Sequence, residues 1–295
     1  MNDHLFHTAP KTVGVIAGRM LIYALLILMV LYFLLPFIVM VLTSLKTMAD
    51  IRTGNLISWP REFTLDAWKT AWGSACIAVE CNGIKVYFWN SVKIVVPAVI
   101  ISTLIGAANG YVFSKWKFWG SEVLFSLLLL GCFIPFQAIL LPMAQTLGKL
   151  GLSQNLAGLI LVHIIYGLAF TTLFFRNYYV TIPNELVKAA RIDGAGFFRI
   201  FWKILLPIST PIFVVSIIWQ TTQIWNDFLF GVVFSAGGNQ PITVALNNLV
   251  NTSTGIKEYN VDMAAAIIAA IPTLLVYIIA GKYFMRGLTA GSVKG

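Results

Sequence analysis

Six apolar runs, each long enough to cross a bilayer, leave this chain few folds to choose from. A spanning helix needs about 20 mostly apolar residues. Met20 to Leu45, Trp89 to Phe113, Trp119 to Met143, Leu156 to Phe175, Ile208 to Phe234 and Met263 to Phe284 all have that character. Lipid offers no hydrogen bonds to a bare backbone, so such runs cross as helices. The first is longer than the roughly 7–15-residue apolar core of a cleavable leader, so a retained helix is expected there. Pro36 is placed to kink it. Only 11% of the 295 residues are charged and 59% are hydrophobic, whereas a soluble domain carries about 25% charged residues. Mean hydropathy is +0.85. The fold expected is all-α: a polytopic membrane protein with six transmembrane helices and no soluble domain.

Net charge is +9, but Lys and Arg are dispersed between apolar runs instead of gathered on one face. That pattern argues against nucleic acid as a partner and for the positive-inside bias. With the N-terminus in the cytoplasm, Lys11, Arg19, Lys115, Lys117, Arg176, Lys188, Arg191, Arg199, Lys203, Lys282, Arg286 and Lys294 lie inside. Outside, Lys149 stands alone in the short loop between the third and fourth helices. Both termini are therefore expected to be cytoplasmic, as an even number of helices requires.

The stretch 47–88 between the first two helices holds Trp59, Pro60, Trp68, Trp72 and both charge signs. It is expected as a folded external loop. Cys76 and Cys81 lie within it. In an oxidising compartment they can close a small-loop disulfide; otherwise they are two unpaired thiols. Zinc is disfavoured, because no second Cys or His pair accompanies them.

The fourth and fifth helices are joined by the segment 181–207, unlike an ordinary connector. Pro183 suits a helix start and Glu185 complements the positive end of its dipole. Leu186, Ala189, Ala190 and Asp193 fall on one side at three- and four-residue spacing. Asp193-Gly194 reads as the stop, with glycine free to take the left-handed conformation. A second short amphipathic helix is expected from Phe197 toward Pro207. Two readings follow: a rigid helical lever whose small residues admit a partner's backbone, or an interfacial hairpin with Phe197, Phe198, Phe201 and Trp202 in the headgroups.

The segment resembles the signature loop of ATP-binding cassette importer permeases: Glu-Ala-Ala, three residues, Gly, nine residues, Ile, one residue, Leu-Pro. Ala189 and Ala190 match the two alanines, Gly194 the glycine, and Ile204, Leu206 and Pro207 the close. Lys188 stands where the motif has Glu, so a salt bridge expected there is absent or reversed, or Glu185 supplies the charge. In that family the loop docks into a groove of the ATPase subunit. The resemblance thus implies that Glu185, Lys188, Ala189, Ala190, Asp193, Gly194, Ala195 and Pro207 couple to ATPase closure. The stretch 287–295 resembles the tail of the smaller membrane subunit of maltose-type importers. Gly287, Thr289, Gly291 and Lys294 are then implied to reach between the ATPase subunits. Ile134-Pro135, Pro142, Leu150-Gly-Leu152 and Trp225-Asn-Asp-Phe-Leu229 are similar to carbohydrate permeases. The region from Cys76 to Tyr87-Phe-Trp-Asn-Ser91 is similar to permeases of glucose or mannose importers.

The fifth helix carries Ser209, Ser216, Gln220, Gln223 and Asp227, which at about 100° per residue share one face. Such a stripe suits a pore passing a polyol; the competing reading is interhelical hydrogen bonding. Asn226 and Gln137 join the substrate candidates, and Asn109 lines the path or bonds a neighbour. His163 is read as a packed histidine and Lys93 as a snorkelling cation. Pro97, Pro135, Pro142 and Pro272 are expected to kink or break helices.

No Gly-x-x-x-x-Gly-Lys-Ser/Thr occurs, so nothing here cradles nucleotide phosphates. The resemblance implies a type I importer permease fold over one domain, 1–295, which is not an enzyme and binds no cofactor or metal. ATP and Mg would be used by a homodimeric ATP-binding cassette ATPase. A second homologous permease and a periplasmic sugar-binding protein would complete the assembly in a bacterial inner membrane. The sugar is expected to be a glucose- or mannose-like monosaccharide. The rival is an ion-coupled secondary transporter, for which Lys93, His163 and Asp227 are the relay candidates, none with an evident partner in sequence.

Overall fold

The computed structural model describes residues 13–251 and 257–290, with side chains from 15 to 251 and from 257 to 281. Among the described residues there is no strand, and an isolated bridge joins Ile77 to Glu80. The helices are α1 (Val13–Ser44), α2 (Met48–Thr53), α3 (Asp66–Gly73), α4 (Lys85–Lys115), α5 (Ser121–Phe133), α6 (Phe136–Lys149), α7 (Leu156–Val180), α8 (Asn184–Ile192) and α9 (Phe197–Ile200). After a π-helical turn, Phe201–Leu205, come α10 (Leu206–Ile208), α11 (Thr210–Trp225), α12 (Leu229–Phe234), α13 (Ile242–Val250) and α14 (Tyr259–Ala290).

Among the described residues, four helices are long and apolar enough to cross a membrane: α1, α4, α7 and α14. Two further spans are bent pairs, α5 with α6 at 104° and the 197–208 segment with α11 at 79°. Counting each pair as one span gives the expected six; the third run breaks at one of the prolines expected to kink or break helices, and the fifth breaks where no interruption was expected. The third run breaks at Ile134-Pro135, where Pro135 has no N–H to donate and its ring disfavours helix at the preceding residue. The fifth run breaks twice. Pro207 and Pro211 flank the bend at Ser209, and α11 stops at Trp225, so that Leu229–Phe234 forms a separate helix. Pro36, Pro97 and Pro272 lie inside continuous helices.

The chain divides into two compact units, Met1–Trp68 with Glu258–Ala264, and Lys69–Lys257 with Ala265–Gly295. In the first, Lys46 is buried with its ammonium on Asn55 O (3.0 Å) and Ser58 Oγ (3.1 Å), and Asn260 Nδ2 donates to Lys46 O (3.1 Å). Most of α1 up to Ile38 is exposed, as suits a helix solvated by lipid or by another chain.

The second unit is built on the pairing of α4 with α7. Gly106 and Gly110 of α4 face Thr171 and Phe175 of α7 so closely that a Cβ at either would overlap, at 2.3 Å from Thr171 Oγ1 and 2.6 Å from Phe175 Cβ. Small residues at four-residue spacing let two helix backbones meet in lipid, where dispersion and hydrogen bonds replace the hydrophobic drive. Hydrogen bonds run along the seam. Thr171 Oγ1 donates to Ser102 O (3.1 Å) and Asn109 Nδ2 to Thr172 Oγ1 (3.3 Å). Gln220 Nε2, from α11, donates to Ser102 Oγ (2.8 Å). Cys76 and Cys81 are joined in a disulfide that closes the turn before α4.

Candidate functional site

Two features of the second unit have the geometry of a working site: the helical hairpin between α7 and α11, and a cavity beside the break at Asn226–Phe228.

In the hairpin, Pro183 occupies the N-cap position of α8, and the helix ends at Ile192. Gly194 then turns the chain at φ +78, with no atom near a would-be Cβ. It is there for its backbone and not for room. The second arm runs through α9, the π turn and α10. Leu206 N–H reaches back to Phe201 O, and Pro207 follows with no N–H of its own. The hairpin is fixed to the ends of α4 and α7. Lys115 Nζ donates to Ile182 O (2.5 Å) and Asn184 Oδ1 (2.8 Å). Arg191 Nη2 donates to Lys115 O (3.3 Å) while its guanidinium lies 4.3 Å over the Trp116 ring. Beneath, Tyr111 stacks on Phe197 (4.7 Å) within a core of Phe175, Tyr179, Val187, Ala190, Ile200 and Leu205.

This packing divides the expected coupling residues. Ala190 is buried in that core, with Val187 beside it, so it does not share an open face with Leu186, Ala189 and Asp193. The exposed face instead holds Ala189, Glu185, Lys188 and Asp193, with Ile192 at 87% and Phe198 at 72% exposure. Ala195 is half-buried at the turn and Pro207 exposed. The reading that put Phe197 and Phe201 in the headgroups fails for those two, because both pack on Tyr111. Ala190 and the Tyr111 core were legible only as contacts between distant segments. Of the tail, Gly287 and Thr289 lie on the backbone of α14, with the Thr289 side chain outside the described residues. Gly291 and Lys294 lie wholly outside the described residues.

The cavity measures ≈ 400 Å³ and is lined from α6, α7, α11 and α12. Its aromatic walls are Phe136, Tyr166, Trp219 and Phe230, with Phe230 meeting Tyr166 and His163 at 5.5 and 5.7 Å. Its polar side chains include Gln220, Thr222, Gln223, Asn226, Asp227 and His163. The break in helix at Asn226–Phe228 turns Asp227 back onto α12, where it accepts from Phe230 N (3.2 Å) and Gly231 N (3.0 Å). That is helix capping by a carboxylate. Thr243 Oγ1 donates to Asp227 O (2.5 Å), and His163 Nε2 stands 3.7 Å from Asp227 Oδ2.

The polar stripe of the fifth span therefore splits. Gln223, Asn226 and Asp227 border the cavity. Ser209 bonds back to Leu205 O, Ser216 is buried, and Gln220 is committed to Ser102 although it also lines the cavity. The glue reading holds for Gln220 alone of these three, since Ser216 Oγ is buried without a hydrogen-bond partner among the described residues. Gln137 is exposed and off the cavity lining, while Asn109 bonds α7. His163 and Asp227, which showed no evident partner in sequence, face one another. Lys93 is exposed. The described residues hold no group of His, Cys, Asp and Glu that would bind a metal.

The model of the family described as binding-protein-dependent transport system inner membrane component matches residues 98–288. A "probable ABC transporter permease protein" of Pyrococcus horikoshii is 48% identical over 176 residues, covering 59% of this chain and 63% of that protein. A xylose/arabinose import permease protein of Haloferax volcanii is 32% identical over 308 residues, covering 96% of each chain. Among solved structures, a bacterial ABC transporter involved in import of the acidic polysaccharide alginate matches with TM-score 0.82 at 21% identity. It covers 94% of this chain and 100% of that one.

Proposed function

We propose that this chain, which belongs to the family of inner membrane components of binding-protein-dependent transport systems, forms one half of the translocation path of an ATP-driven sugar importer. The observation that carries the reading is the hairpin 184–208, tied to the ends of α4 and α7 by Lys115 and Arg191 while Ala189, Ile192 and Phe198 face out. A lever held so firmly passes a push at its tip to the two helices that form the core of the second unit. The pusher is a separate ATPase with its nucleotide sites elsewhere. A second, similar permease completes the path, and a soluble binding protein delivers the sugar. Purification from the native membrane in mild detergent should recover an ATP-hydrolysing subunit and a second permease with this chain. Recovery of a chain that transports alone, driven by an ion gradient, would sink the reading.

The facing His163 and Asp227 favour one second reading, an ion-coupled transporter. Against it, Asp227 already caps α12 with both carboxylate oxygens.

Within the importer reading, sugar passes against the cavity of Gln223, Asn226 and Asp227, with Trp219 and Phe230 offering ring faces to its C–H surface. Relatives named for xylose, arabinose and multiple sugars support carbohydrate over other cargo. A glucose- or mannose-like monosaccharide is the narrower expectation.

We infer the orientation from the disulfide: disulfides persist in oxidising compartments, which supports placing Cys76–Cys81 on the outer side of the membrane. The hairpin, fixed at the opposite end of α4, then lies in the cytoplasm with both termini. A membrane-impermeant maleimide should label Cys76 and Cys81 in intact cells only after treatment with an impermeant reductant. Labelling without reduction would overturn the bond, and labelling only after permeabilisation would invert the topology.

A further inference from the structure

We infer that Asp227 makes the cavity selective for uncharged sugars and excludes sugar carboxylates; this rests on the reading that sugar passes through that cavity. Its lining contains one carboxylate and neither lysine nor arginine. Asp227 is fixed in place: each oxygen accepts one backbone N–H from α12, at 3.2 and 3.0 Å, and Thr243 holds its carbonyl. A carboxylate oxygen has acceptor capacity left after one hydrogen bond, so Asp227 still takes hydroxyl protons from a sugar. His163, buried and 3.7 Å from Oδ2, lies beside Asp227 in the same lining, its ring against Phe230. Around it the exposed amides of Gln223 and Asn226 both donate and accept, which suits hydroxyl groups of either sense.

A hexuronate differs from its hexose by one carboxylate. With no lysine or arginine in the lining to offset it, that group meets the charge of Asp227 directly. At a separation of about 6 Å and an effective dielectric of about 20, the repulsion amounts to discrimination on the order of a hundredfold. The cavity therefore rejects a charged sugar by an unfavourable contact as well as accepting a neutral one by favourable contacts.

The test uses the purified complex without its binding protein, which removes that protein's own selectivity. Equilibrium dialysis with labelled xylose, glucose and glucuronate reads binding to the membrane subunits. The neutral sugars are expected to bind at least about tenfold more tightly than glucuronate, a difference set by charge alone. Asp227→Asn should bring that ratio close to unity. Because Asp227 also caps α12, Asn226→Lys provides a second route: Asn226 makes no side-chain hydrogen bond among the described residues, and a lysine there should favour glucuronate. Equal binding of glucose and glucuronate by the native complex would overturn the selectivity alone, as would a ratio unmoved by Asn226→Lys. Absence of saturable binding for every sugar would overturn the cavity as the sugar path, and the selectivity with it.

Discussion

Replacing Gly106 or Gly110 by valine should remove the folded chain from the membrane. At Gly106 a new Cβ alone would lie 2.3 Å from Thr171 Oγ1 and 2.5 Å from Thr171 Cβ. At Gly110 it would lie 2.6 Å from Phe175 Cβ and 2.7 Å from Arg176 N. The obstacles include backbone of the facing helix, so rotation of one side chain gives no relief. Relief comes only by separating α4 from α7, which also breaks the bonds of Thr171 and Asn109 across the seam. Overpacking in a close-packed interior costs about 1–3 kcal/mol and more when backbone must move, and valine adds two further methyl groups. Gly131→Ala is the control, since its Cβ would meet only Ala169 Cβ at 3.8 Å. Detergent-extracted protein, followed by gel filtration and thermal unfolding, should show the control near wild type and both valine variants lost. Folded, monodisperse protein from Gly106→Val would mean that the seam is looser than its geometry.

That seam shows what was legible and what was not. Gly106 and Gly110 sit four apart inside an apolar run, a pattern that marks a close helix pair, but the spacing alone does not name the partner helix. The apolar runs themselves were easy, because length and lack of charge survive any tertiary context. Their interruptions were harder. Pro135 does break its run, whereas Pro36, Pro97 and Pro272 sit inside continuous helices. A proline in a span is tolerated when neighbours satisfy the freed carbonyl, and that depends on contacts no single segment contains. The stripe from Ser209 to Asp227 had the right periodicity but two destinations. Periodicity identifies a shared face; it does not say that one neighbour covers the inner end and a cavity the outer. The His163–Asp227 contact joins α7 to the end of α11 across 64 positions of sequence, beyond the reach of local spacing. The left-handed turn at Gly194 was different, because the conformation and the residue type imply one another.

The neighbouring alanines of the hairpin should behave as opposites. Ala189→Arg puts a long, charged side chain on the exposed face of α8, which the described residues leave open. Insertion, expression and thermal stability should stay near wild type, since exposed substitutions in a helix generally move stability by about half a kcal/mol or less. Coupling should fail. A cleft that accepts an alanine-bearing face has no space for arginine, and sugar-stimulated ATP hydrolysis and uptake are expected to fall at least about tenfold, the equivalent of roughly 1.4 kcal/mol at the interface. Ala190→Leu acts inward. It crowds Tyr111, Phe175, Tyr179 and Ile200 in the core that anchors the hairpin, so the loss should appear first as reduced folded protein. Gly194→Val lies between the two: no atom obstructs its side chain, but φ +78 strains any β-branched residue. The hairpin tip should shift while the membrane core stays intact, with uptake falling more than thermal stability. If Ala189→Arg couples normally while Ala190→Leu does not, the outward face is not where the ATPase seats, and the lever must be gripped elsewhere along 184–208.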